Sequence, residues 1–176
     1  MIQLHDKKFD IFIAEEEINF AIAAMAKQIE ADFFDDVPVF IGVLNGSFMV
    51  VSDLLKKYNH PCEVSFVKMA SYEGTQTTNQ VNQLIGLNQN LEGRSVIIVE
   101  DIVDTGNTIA ELKTLLKQHH VKHFKIATLF LKPDAYSKDI KLDYVGIRIP
   151  DKFIVGYGLD YDGLGRNLKD VYQLSE

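Results

Sequence analysis

The run Ser95–Glu100, SVIIVE, restricts the fold more than any other stretch of the chain. Val96 to Val99 are consecutive β-branched apolar residues with no polar face, so a strand here must be covered on both sides, as strands of parallel sheets are. A polar segment, DIVDTGNT (101–108), follows it, and then IAELKTLLKQ (109–118), whose apolar residues recur at helical spacing. The same strand, turn and helix occur earlier. Pro38 opens VFIGVL (39–44), Asn45-Gly46 supplies a turn, and Ser47 can cap a helix over FMVVSDLLKKY (48–58) that ends in Lys56 and Lys57. Ile18, Ala21, Ile22, Met25, Ala26 and Ile29 predict an amphipathic helix from Glu15 to about Asp32. CEVSFVKM (62–69), KIATLFL (125–131), Tyr144–Ile147 and Phe153–Tyr157 predict further strands, and the polar segment 71–83 predicts a mobile loop or extended hairpin. Alternating elements, with no repeat and no Gly/Pro/Ser-rich linker, predict an α/β fold: residues 1–176 as one domain built on a mainly parallel twisted sheet flanked by helices.

Composition narrows the function. Apolar residues make up 47% and charged residues 24%, which fits a packed globular chain and excludes disorder and coiled coil. Eighteen Lys+Arg against 25 Asp+Glu leave a net charge of −7 without a basic cluster, a poor match for nucleic acid. A small polyanion would need a local site of backbone N–H groups, a few lysines or a bound cation. Cys62 is the only cysteine, which excludes an internal disulfide and a cysteine zinc site and suggests a reducing compartment. It reads as a small core residue. With no signal-like start and no run of roughly 18 apolar residues, the expected location is the cytoplasm, without a membrane partner. His119 and His123 stand four apart but lack the acidic neighbour of a helical zinc motif; a place near a helix end accounts for them.

In an open parallel sheet, ligands bind beyond the carboxyl ends of the strands. There the chain reads Glu100-Asp101-Ile102-Val103-Asp104-Thr105-Gly106-Asn107-Thr108. A helix starting near Thr108 leaves free N–H groups, and the two hydroxyls and the glycine beside them form a cradle for one phosphate. Glu100 and Asp101 would repel that phosphate unless they faced a ribose diol or a divalent cation, so the arrangement suits a sugar 5-phosphate with Mg²⁺. Neither a GxxxxGK[ST] nor a GxGxxG loop is present.

VIIVEDIVDTGNT (96–108) resembles the phosphoribosyl-pyrophosphate signature of type I phosphoribosyltransferases, and its ED-x-x-D-T-G form resembles the hypoxanthine-guanine branch. LKPD (131–134), DYVGIRIPDKFIVGYGLDYDGLGRNL (143–168), GVLNGS (42–47) and SYEG (71–74) resemble that family's base-binding strand, carboxy-terminal segment, pyrophosphate loop and lid, so the likeness spans about residues 39 to 170. It implies a small hood built from the terminal segments, with base-binding elements over 132–170 and a lid over 71–83. The implied reaction is Mg²⁺-dependent transfer of the 5-phosphoribosyl group to N9 of hypoxanthine or guanine, with release of pyrophosphate. Carried onto these residues, it makes Glu100 and Asp101 ribose and metal ligands and lets Asp104, Thr105, Gly106, Asn107 and Thr108 hold the 5′-phosphate. Asp104 also serves as general acid/base at N7. Lys132 would donate to the purine O6, Phe153 stack on the ring, and Ile154 and Asp160 meet its edge, Asp160 also holding a second Mg²⁺. Leu44, Asn45, Gly46, Ser71, Tyr72 and Arg166 would bind pyrophosphate, in a turn where relatives often have a cis peptide. The resemblance also implies a homodimer or homotetramer. Asn45 and Asn107 stand where some relatives have lysine, which would weaken phosphoribosyl pyrophosphate binding or shift dependence toward Mg²⁺, with the backbone donors retained.

Two other readings remain at this level. One is a phosphoribosyl-pyrophosphate sensor without catalysis. The other is a phosphoacceptor receiver domain, which also uses an acidic pair, a threonine and a lysine, but places the pair after its first strand rather than mid-chain.

Overall fold

The computed structural model describes residues 1–69, 83–85, 87 and 89–175. In chain order the elements are β1 (Ile2–Leu4), β2 (Lys7–Ile13), α1 (Glu15–Asp32), β3 (Val39–Val43), α2 (Phe48–Lys57), β4 (Glu63–Met69), β5 (Gln83–Ile85), β6 (Ser95–Val103), α3 (Asn107–Gln118), β7 (His123–Leu131), β8 (Tyr144–Arg148), β9 (Ile154–Val155) and β10 (Val171–Leu174). The larger sheet runs β5-β4-β3-β6-β7-β8. Its β4, β3, β6, β7 and β8 are parallel, and β5 joins β4 antiparallel. This is the expected α/β architecture.

Side-chain alternation in the central strands explains the layering. Phe40, Ile97 and Val99 pack with Ile18, Ile22 and Met25 of α1 and Val50, Val51 and Leu54 of α2. Val39, Ile41, Val96 and Ile98 turn to the other face and pack with Ile109, Leu112, Leu115 and Leu116 of α3. Each fully buried aliphatic side chain contributes about 1.5–3 kcal/mol, and both faces of β3 and β6 are apolar because both are covered. Cys62 is partly buried against the first cluster, consistent with a packing role.

A second sheet, β1-β2-β10-β9, is antiparallel throughout and ties the two ends of the chain together. It is the physical form of the hood expected from the terminal segments. β2 escapes a local reading because KKFDIFI mixes charged residues with its apolar ones, and β1 (IQL) and β10 (VYQL) because they are too short to form an apolar run. The strand expected over Phe153–Tyr157 shrinks to Ile154–Val155, since Gly156 and Tyr157 take positive φ and turn the chain away.

One further local expectation is corrected. Ser47 stands at the N-terminus of α2 but its side chain makes no capping bond; its hydroxyl is buried, with no hydrogen-bond partner. His119, by contrast, stands at the C-terminal end of α3, as expected, and His123 opens β7. The first helix is capped from far along the chain. Ala14 at its N-cap offers no side-chain acceptor, and Asp170, nearly buried just before β10, accepts the Glu15 N–H at 2.9 Å. Asp170→Ala should therefore cost about 1–2 kcal/mol, read as a lower urea midpoint at pH 7 with an unchanged slope.

Candidate active site

The order β4-β3-β6-β7 places a switch of direction between β3 and β6: the crossover after β3 leads one way along the sheet and the crossover after β6 leads the other. The two connections diverge there and open a crevice at the carboxyl ends, where ligands bind in such sheets. A cleft of about 500 Å³ lies at this point, lined by Val43, Leu44, Gly46, Met69, Glu100, Asp101, Ile102, Asn107, Thr108 and Glu111. Residues expected in the pyrophosphate turn and in the phosphate cradle thus face one another across it. Ser71 and Tyr72, with the proposed lid through residue 82, lie outside the described residues.

The strand predicted to end at Glu100 does not stop there; β6 continues through Asp101 to Val103. Strict alternation stops before the strand end, since Val103 joins the cluster on the α3 side and Ile102 packs against the cluster on the α1 and α2 side, and both acids line the cleft. Both are buried. Burial, reinforced by the neighbouring Asp101 charge, holds the Glu100 carboxyl well above its ordinary range. Burial likewise pushes Asp101 up from 3.8 to about 6, opposed by backbone hydrogen bonds and the positive charge of Arg166.

Gly46 is fixed by this carboxylate: a Cβ there would fall 1.6 Å from Asp101 Oδ2, while the Gly46 carbonyl oxygen lies 2.0 Å from the place of a Cβ on Gly158. Any side chain at Gly46 would evict Asp101. The peptide Leu44-Asn45 beside it is cis. Across the cleft, Gly106 caps α3 with φ of 85°, a conformation that favours glycine, and the side chains of Tyr136 and Lys138 close over the space a Cβ would need. Neither Asp104 nor Thr105 caps the helix through its side chain.

The ends of β6, β7 and β8 bring three charged groups together. Lys132 N–H donates to the Val103 carbonyl at 3.0 Å, and Ile149 N–H to the Leu131 carbonyl at 2.9 Å, which aligns the three strand ends. The Lys132 ammonium then lies 3.1 Å from Asp104 Oδ2 and 2.8 Å from Asp151 Oδ1. Burial alone would lower the Lys132 pKa, but the hydrogen bonds it donates to Asp151 and Asp104 outweigh it and hold the group above its usual value. A lysine at a strand end is ordinarily solvated; this one is only 8% exposed.

In the carboxy-terminal segment, Arg166 pairs with Asp160 at 2.6 Å and donates to the Gly158 carbonyl at 2.7 Å, so it is held within its own loop. Ile154 is buried, whereas Phe153 is 47% exposed and tilts against Phe9 and Tyr161. The sequence reading missed Asp151, whose partnership with Lys132 spans nineteen positions, and Glu111, which reaches the cleft one turn into α3. Only helical spacing from Thr108 could have suggested Glu111.

Comparison with known proteins agrees with this geometry. The family model described as a phosphoribosyl transferase domain matches residues 11–162. The chain belongs to the phosphoribosyltransferase family. A hypoxanthine-guanine phosphoribosyltransferase of Staphylococcus epidermidis is 39% identical over 166 residues, which cover 94% of this chain and 93% of that protein. The crystal structure of a hypoxanthine-guanine phosphoribosyltransferase from Bacillus anthracis superposes with a TM-score of 0.88 at 38% identity, covering 97% of this chain and 98% of that one. A hypoxanthine phosphoribosyltransferase from Staphylococcus aureus gives 0.89 at 37% identity, covering 97% and 92%. With a sheet matching those structures, the type I phosphoribosyltransferase fold is the fold of this chain.

The electrostatics of this phosphoribosyltransferase site give a pH dependence. Asp101 has a folded pKa above its ordinary 3.8, so its ionisation penalises the native state; the penalty is absent below about pH 4 and complete above about pH 6. A rise of this size corresponds to about 3 kcal/mol. Asp101→Asn should be more stable than the parent at pH 8, with the gap closing by pH 4, in urea titrations at both values.

Proposed function

We propose that this phosphoribosyltransferase is a purine salvage enzyme that joins hypoxanthine or guanine to the phosphoribosyl group of phosphoribosyl pyrophosphate. The observation that carries the reading is the Asp104–Lys132 pair standing between the cradle 104–108 and the carboxy-terminal segment. A 6-oxopurine presents an acceptor at O6 beside a proton-bearing N7, and a lysine next to a carboxylate is the complementary pair. Adenine presents a donor at the sixth position and lacks this match.

In the proposed mechanism the backbone N–H groups of Asp104 to Thr108, at the positive end of α3, hold the 5′-phosphate. Leu44, Asn45 and Gly46 present backbone donors to the pyrophosphate, and Arg166 reaches it while sharing Asp160. Lys132 donates to O6 and Asp104 takes the N7 proton. The N9–C1′ bond forms as the bond from C1′ to the pyrophosphate oxygen breaks, and the electron pair of that bond leaves with pyrophosphate. Phe153 offers its exposed ring to the base, and Ile154 and Asp160 border its edge. Ser71, Tyr72 and the lid exclude water from the reacting carbon.

The donor set also fits Mg²⁺. Lys132 is already paired with Asp104 and Asp151, and Arg166 with Asp160, while Glu100, Asp101 and Glu111 line the cleft, so a bound polyanion needs further positive charge. Among the described residues no group of three or more His, Cys, Asp or Glu side chains could hold a metal unaided, which suits an ion held by one or two carboxylates plus substrate oxygens and water. Glu100 and Asp101 are the residues that would hold one ion, and Asp160 would hold a second. When bound, Mg²⁺ supplies neutralisation of the departing pyrophosphate charge.

We read residues 1–176 as one domain, with base-binding elements over 132–170 beside the hood of the terminal segments, assembled as a homodimer or homotetramer in the cytoplasm. No helix among the described residues is long and apolar enough to cross a membrane. Purified protein with Mg²⁺ and phosphoribosyl pyrophosphate should turn over hypoxanthine or guanine and leave adenine untouched; turnover of no base would sink the reading and favour a sensor. Asp104→Asn should lower kcat by about 10²–10⁴-fold with an unchanged melting profile.

A further inference from the structure

The contact between Lys132 and Asp151 has no part in the mechanism above, yet at 2.8 Å it is the shorter of the two ion pairs that Lys132 makes. Asp151 follows Pro150, and the Lys152 N–H closes back on the Pro150 carbonyl at 2.8 Å, so a tight turn presents this carboxylate. The turn is anchored two residues earlier, where Ile149 bonds the last residue of β7. Asp104, Lys132 and Asp151 therefore extend from three adjacent strand ends in fixed register, with the ammonium in the middle.

This order has a chemical consequence. An ammonium that is largely shielded from water needs a carboxylate partner. If Asp104 were its sole partner, the pair would tighten, and the carboxylate required for proton transfer at N7 would be committed to Lys132. We propose that Asp151 is a positioning residue for the transfer reaction: it retains the Lys132 ammonium over the base subsite and so releases Asp104 to meet the purine N7 proton. The role rests on the purine salvage reading of the same site. Asp151 is itself mostly exposed, with side-chain accessibility of 66%, so it can hold charge at little desolvation cost and does not compete as a base buried against the purine.

The test is a double-mutant cycle read by steady-state kinetics with hypoxanthine. Asp151→Asn should lower kcat on the order of tenfold, the size of a typical coupling between charged neighbours, and leave the KM for phosphoribosyl pyrophosphate unchanged. Asp151→Glu should restore most of the rate. In a Lys132→Met background the same Asp151→Asn change should alter kcat by less than about twofold, because the group it acts through is gone. Equal losses in both backgrounds, or no loss in the parent, would overturn the role while leaving the salvage reading intact. An unsubstituted protein that turns over no purine would overturn both. Melting curves of the variants separate a kinetic effect from loss of fold.

Discussion

Two carboxylates buried side by side at the end of the most apolar strand are the constraint on which the site depends. Glu100 and Asp101 stand in β6, directly after the aliphatic run Val96–Val99, where water is excluded. Such a placement costs stability unless something with positive charge or hydroxyl donors arrives. The raised pKa values of both groups are the signature of that unmet demand. A core strand that carries a pair of disfavoured charges near its end is a poor solution for folding and a good one for binding a cation and a sugar diol, and the fold is arranged so that both acids line the same cleft.

The rest of the architecture follows from holding β6 in the centre. Its neighbours β3 and β7 are parallel to it, so their carboxyl ends emerge on the same edge, and each contributes one working segment: the turn at Leu44–Ser47 and the Lys132 side chain. Close approach then sets sequence limits that chemistry alone does not. Gly46 must lack a side chain because Asp101 occupies that space, and Gly158 comes up against the Gly46 carbonyl, so the carboxy-terminal segment and the pyrophosphate turn are packed backbone to backbone. The terminal sheet closes the arrangement, with Asp170 capping α1 and Tyr157 donating to Asp53 on α2.

Much of this was legible in the sequence, for physical reasons that can be named. Buried parallel strands are continuous apolar runs, so β3, β6 and β7 could be found by composition, and α1 by its period. The cradle was legible because a helix start, a glycine and hydroxyls stand together within a few residues. What stayed hidden is non-local. β1, β2 and β10 gain their meaning only from pairing with one another across the length of the chain, and local patterning in KKFDIFI does not report it. Ser47 looked like a cap because of its residue type, whereas packing buried its hydroxyl away from the free N–H groups.

Lys132 shows how a non-local effect changes the meaning of a residue. By sequence it is a cation at a strand end, where the default is a solvated head on an apolar stem. The register of three strands instead surrounds it with two carboxylates from neighbouring ends, and those partners raise its pKa against the opposing effect of burial. A guanidinium or ammonium in the open would bind any anion. An ammonium already satisfied by Asp104 and Asp151 accepts a new partner only if that partner replaces what it gives up, and a 6-oxopurine does so by offering an acceptor to the lysine and a donor to the released carboxylate at once. In the proposed reaction, selectivity for the base would arise from the pairing of Lys132 with its acids, and from the strand alignment that enforces it, more than from the charge of the lysine alone.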